Sequence, residues 1–88
     1  MANIKSQMKR NRQNDARNQR NRAIRSELKT REKNALAAAE SGDAAEAEEM
    51  LRLAQKRIDM AASKGVLHEN TAARRKARLT RRVRSLLA

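Results

Sequence analysis

The chain has 88 residues, with 22 Lys and Arg against 10 Asp and Glu, and a formal net charge of +12. It contains no Cys, Pro, Phe, Trp or Tyr and only two Gly. This excludes a disulfide framework, a thiolate metal site, a Cys nucleophile and the aromatic platforms on which bases usually stack. No apolar run is long enough to cross a bilayer or to form the core of a secretory signal, and Met1-Ala2 is read as a cytosolic start.

Ala, Leu, Arg, Lys, Glu and Gln dominate, so helix is the intrinsic preference nearly throughout. The first helix is expected over about residues 5–40. Its apolar stripe begins only at Ile24 and continues through Leu28, Ala35 and Ala39. In the 18 residues from Lys5 to Arg22 only Met8 and Ala16 are apolar; the others include seven Lys and Arg, four Asn and three Gln. Ser41-Gly42-Asp43 breaks the pattern: Gly42 can take positive φ after a helix end, and Asp43 with Glu46 forms a capping-box pattern.

The second helix is expected over about 44–63, with Ala47, Met50, Leu51, Ala54, Ile58 and Ala61 on one stripe at 3–4 spacing. Met50 and Met60 read as gap fillers in a small-residue core. Gly65 ends this helix, and His68 or Asn70 starts the third, over about 69–86, with Ala72, Leu79, Val83, Leu86 and Leu87 facing inward. Short turns make sequential helices antiparallel neighbours. The fold class is therefore all-α: one domain over 1–88, an antiparallel three-helix bundle from 24–87 with a basic helical prong from 5–23. A first helix of about 35 residues overshoots a middle helix of about 20 by roughly 20 Å or more at 1.5 Å per residue.

Charge is partitioned along the chain. Residues 1–39 carry 11 basic and 3 acidic side chains, residues 40–63 carry 3 and 6, and residues 64–88 carry 8 and 1, for nets of +8, −3 and +7. A thin, alanine-rich core and strong self-repulsion imply that part of the chain needs a polyanion to become ordered. The prong lacks the apolar face that a membrane-surface helix requires. Its Arg and Lys suit phosphates, and its Asn and Gln can reach bases, riboses or phosphates. Lys5, Lys9, Arg10, Arg12, Asn14, Arg17, Arg20 and Arg22 are the candidate nucleic-acid contacts there.

On the third helix Arg74, Arg75, Lys76, Arg78, Arg81, Arg82 and Arg84 occupy the polar part of the wheel, with Glu69 the one acid nearby in sequence. Of these, Arg74, Arg75, Lys76 and Arg78 are the candidate contacts, joined by Lys64, His68 and Asn70 of the preceding turn. The lone His68 either caps the helix or touches nucleic acid. The acids Glu40, Asp43, Glu46, Glu48, Glu49 and Asp59 are read as helix-start and surface charges, with Glu48–Arg52 an i,i+4 pair. No nucleophile–base pair or ligand set supports an enzyme, a metal or a cofactor. A DNA-binding basic region would need a leucine heptad for dimerisation, and none follows the prong.

The opening Met1-Ala2-Asn3-Ile4-Lys5-Ser6-Gln7 with Lys9-Arg10 resembles the start of the bacterial small-subunit ribosomal protein S-twenty family. So do Lys64-Gly65-Val66-Leu67-His68-Glu69-Asn70, then Ala72-Ala73-Arg74 and Lys76-Ala77-Arg78-Leu79. The resemblance runs end to end. It implies a three-helix-bundle protein that binds 16S ribosomal RNA directly and early and remains a structural part of the small ribosomal subunit. On that reading the protein is cytoplasmic and ribosome-associated. It has no small-molecule substrate and no membrane partner, and it forms no stable homo-oligomer.

Overall fold

The computed structural model describes residues 4–88, with side chains from Gln7 onward; among the described residues all regular structure is helical. Helix α1 runs Ile4–Glu40, α2 Ala44–Ser63 and α3 Glu69–Leu87, within a residue of the boundaries expected from sequence. The three pack against one another, with α1 and α2 in the most extensive contact.

Both turns follow one design. Gly42 has φ +84° and Gly65 φ +78°, the left-handed conformation that costs glycine nothing. The Gly42 amide donates to the Ala39 carbonyl at 3.1 Å, and the Asp43 amide to the Ala38 carbonyl at 3.3 Å. At the second turn Gly65 donates to Ala62 at 3.1 Å and Val66 to Ala61 at 2.9 Å. These are paired Schellman bonds that satisfy the last carbonyls of each helix. Asp43 also accepts from the Glu46 amide at 3.1 Å. It therefore ends α1 with its backbone and starts α2 with its side chain.

The core has two layers. Nearer the α1–α2 turn, Ala35, Ala38, Ala39, Ala47, Leu51, Ala54, Leu79 and Val83 pack together. Nearer the α2–α3 turn, Leu28, Ile58, Ala61, Val66 and Ala72 form the second layer, flanked by Ile24 and Leu67. Seven of the thirteen buried apolar residues are alanine, so the helices approach closely and little apolar area per residue leaves water.

Two inward assignments fail. Met60 is 36% exposed and Leu86 45%. Met60 lies two residues past Ile58, about 200° round a helix that turns 100° per residue, and so points away from the core. Leu86 is on the core face of α3, but in its final turn, past Val83. Met50 is half-buried at the edge of the first layer.

Each pair of helices is also tied by an ion pair. Arg57 reaches Glu27 at 3.3 Å between α2 and α1, Arg75 reaches Glu32 at 3.0 Å between α3 and α1, and Lys76 reaches Asp59 at 2.7 Å between α3 and α2. The expected Glu48–Arg52 pair is not formed; Arg31–Glu27 is the i,i+4 pair present. Gln55 donates to the Thr80 hydroxyl at 2.8 Å, adding a polar link between α2 and α3.

Among the described residues the first buried side chain of α1 is Leu28, so the segment from Gln7 to Ala23 projects from the bundle. The molecule measures 64 × 21 × 14 Å, far longer than the roughly 30 Å that the 20-residue α2 spans.

Candidate nucleic-acid interface

The prong carries Lys9, Arg10, Arg12, Asn14, Arg17, Arg20 and Arg22, all exposed. At 100° per residue the six cations fall on every side of the helix. This arrangement matches phosphates approaching from several directions rather than one flat surface. The Lys5 side chain lies outside the described residues.

Where the prong leaves the bundle, it forms one wall of a notch of about 810 Å³. Arg17, Arg20 and Asn21 line the α1 side, Lys64 and Gly65 the turn side, and Ile24 and Val66 the floor, with the exposed Ala23 at its edge. The notch thus joins two candidate groups that lie more than forty residues apart in sequence. The Val66 amide is fixed by its bond to Ala61. The Val66 carbonyl is approached by the Arg25 guanidinium at 3.5 Å, a long contact that links the turn to α1.

His68 resolves into a cap. Its Nδ1 accepts from the Asn70 amide at 3.1 Å, and its φ of −68° and ψ of 146° are those of an N-cap residue. With Nδ1 accepting, the neutral ring carries its proton on Nε2. The ring is exposed, so a donor faces solvent from a fixed base. Asn70 is exposed beside it.

The basic side chains of α3 divide in two. Arg74, Arg78 and Arg82, at i, i+4 and i+8, form an exposed ridge. Arg78 and Arg82 border a groove of about 430 Å³ with Lys29 of α1. Arg75 and Lys76 are only half exposed and are spent on Glu32 and Asp59. Glu69, the one acid nearby in sequence, is therefore not the partner of either. The partners come from other helices, 43 residues away for Arg75, where sequence neighbourhood shows nothing. Lys29 and Arg82 join the surface unselected by the sequence reading. Arg82 was findable as the next i+4 step after Arg78, whereas Lys29 was not.

No group of His, Asp and Glu among the described residues could hold a metal, and no helix is long and apolar enough to cross a membrane.

Residues 2–84 match the family described as Ribosomal protein S20. The chain belongs to that family. It is 51% identical over 88 residues to the small ribosomal subunit protein bS20 of Salinispora tropica, covering all of both chains. It is 49% identical to that of Frankia casuarinae and 47% identical to that of Cutibacterium acnes, again over 88 residues. As a member of the S20 family it is a ribosome-associated structural constituent of the small subunit and not an enzyme.

Proposed function

We propose that this S20-family protein binds 16S ribosomal RNA directly and stabilises its fold during assembly, acting as a cytoplasmic, monomeric protein. The observation that carries the reading is the convergence at the notch. Arg17 and Arg20 from α1 and Lys64 from the α2–α3 turn meet on a buttressed base, at the root of a prong whose cations point in all directions. Phosphate neutralisation by such side chains supplies most of the affinity for a nucleic acid. A prong with positive charge on all sides suits a crevice between RNA segments better than one groove of a straight duplex. The ridge of Arg74, Arg78 and Arg82 offers a second line of contacts.

The test is competition binding of the purified protein to 16S ribosomal RNA against duplex DNA at moderate salt. Strong preference for the structured RNA is expected. Equal affinity for both would leave only a general polycation, and preference for the duplex would favour a DNA-binding role.

A further inference from the structure

We propose, resting on the RNA-binding reading above, that the notch at the root of the prong holds one unpaired nucleotide of the bound RNA. Four features of the notch point to this occupant. Its volume of about 810 Å³ is that of a small-molecule site, typically about 300–1,000 Å³. Its floor is apolar, formed by Ile24 and Val66, with the exposed Ala23 at its edge, while its rim is cationic and none of its lining residues is acidic. A continuous duplex presents phosphates and sugars on a convex surface and cannot send a base to such a floor. A nucleotide splayed out of its stack can, with its flanking phosphates left at the rim.

The third feature is that no aromatic side chain lines the notch, the chain having no Phe, Tyr or Trp. Bases extruded from RNA stack on aromatic side chains or on guanidinium planes, so the arginines are the flat platforms among the residues lining it. Arg17 and Arg20, three residues apart on one face of α1, border the notch. Asn21, half-buried, lines the notch beside them, and its amide offers both a donor and an acceptor to a base edge. Lys64 faces them from the turn and suits a phosphate as a point charge. The fourth feature is rigidity. Gly65 and Val66 are fixed by the Schellman bonds that end α2, and Val66 is buried in the lower core layer. The turn side of the notch is therefore formed before the nucleotide arrives, which limits the ordering cost of binding to the α1 side.

The absence of cysteine makes the test direct. Ala23 is exposed, so A23C can carry a short photo-cross-linker as the single thiol adduct in the protein. A melt by circular dichroism confirms that the bundle is intact. The adduct is bound to 16S ribosomal RNA, irradiated, and the cross-linked position mapped by primer extension; base pairing there is read by chemical probing of the complex. The expected result is a cross-link centred on one nucleotide that is unpaired in the complex. Deleting that nucleotide from the RNA should weaken binding of the unmodified protein by about tenfold or more, the scale of one base-stacking contact. The same deletion should change binding of the R17A/R20A double variant by less than about twofold.

The proposal is overturned by cross-links confined to paired positions of a continuous helix, by no RNA cross-link at all, or by a deletion that the unmodified protein does not notice. Failure to bind 16S RNA would show before irradiation and would remove the RNA reading itself. Binding without the expected cross-link removes the notch alone.

Discussion

Arg75 and Arg78 are one helical turn apart on α3, and both look like RNA contacts in sequence, but of the two only Arg75 is paired with an acid. The Arg75 and Glu32 side chains are only 24% and 23% exposed, with Nε and Oε1 3.0 Å apart. Exposed ion pairs contribute about 0.2–1 kcal/mol, whereas removing one partner of a fully buried pair costs about 3–5 kcal/mol. A pair with roughly a quarter of each side chain still wet falls between these limits. Arg75→Ala should therefore cost about 1–2 kcal/mol, because it strands Glu32 against the bundle. A domain of this size shifts by about 4–8 °C per kcal/mol, so the midpoint should fall by roughly 5–15 °C. Arg74→Ala and Arg78→Ala remove exposed charges and should each cost less than about 0.5 kcal/mol.

Removing a positive charge from a +12 chain also relieves repulsion. Glu32→Gln does the opposite and should destabilise somewhat more than Arg75→Ala, and this ordering separates the ion pair from net charge. The assay is a set of thermal melts by circular dichroism alongside titrations of 16S RNA at several salt concentrations. Arg78→Ala should melt like the parent protein and lower the log–log salt slope by about 1; Arg75→Ala should melt early and leave the slope nearly unchanged. If Arg75→Ala melts with the parent and instead reduces the slope, the residue is an RNA contact and the clamp is incidental.

Ile58, fully buried in the lower core layer, should cost about 2–4 kcal/mol when changed to Ala, with RNA affinity unchanged below the new midpoint; an affinity loss in still-folded protein would contradict this. With about six to eight phosphates neutralised, the salt slope of RNA binding should be about −4 to −7, and a slope near −1 would mean that most basic residues stay in solvent. The prong helix has no tertiary support, so amides of residues 7–22 should exchange quickly in the free protein and slowly with RNA, while those of 47–61 stay protected throughout; strong protection of the prong without RNA would refute this. His68→Asn should keep the α3 cap and the melting midpoint, since Asn is among the best N-caps, and should lose RNA affinity with the Nε2 donor, whereas His68→Ala should lose both. Unchanged RNA binding by His68→Asn would leave the histidine a cap alone.

The helix limits were legible because chemistry at single positions decides them. Gly42 and Gly65 are the two residues able to end a helix with positive φ cheaply, and Asp43 is placed to cap. The overshoot of α1 followed from where its apolar stripe begins. Met60 shows the limit of an argument from residue type: methionine suits gaps in a small-residue core, but its angle places it opposite Ile58. Leu86 shows a different limit, since periodicity gives a face but not where the packed layer on that face stops. The ion pairs of Arg75 and Lys76 were out of reach, because they depend on which turns of three helices lie side by side. The notch was out of reach for the same reason, since Arg20 and Lys64 become neighbours only after the chain has folded back twice.

The distribution of acids explains why so basic a chain is not basic everywhere. Glu27, Glu32 and Asp59 are consumed at the three helix–helix seams, where they neutralise cations that would otherwise repel across a thin core. Glu40, Asp43, Glu46, Glu48 and Glu49 collect around the α1–α2 turn, at the end of α1 opposite the prong. An RNA approaching that end meets like charge, whereas on the prong the lone acid, Asp15, stands among six exposed cations. For the proposed complex this fixes a polarity: the prong and notch lead into the RNA, the α3 ridge follows along one side, and the acidic turn stays outermost. The bundle is held by its apolar core and by the Arg75–Glu32 pair, about three-quarters buried and so little weakened by counterions, whereas the prong and ridge depend on phosphates and weaken with salt. Rising salt should therefore release the protein from RNA well before it loosens the bundle.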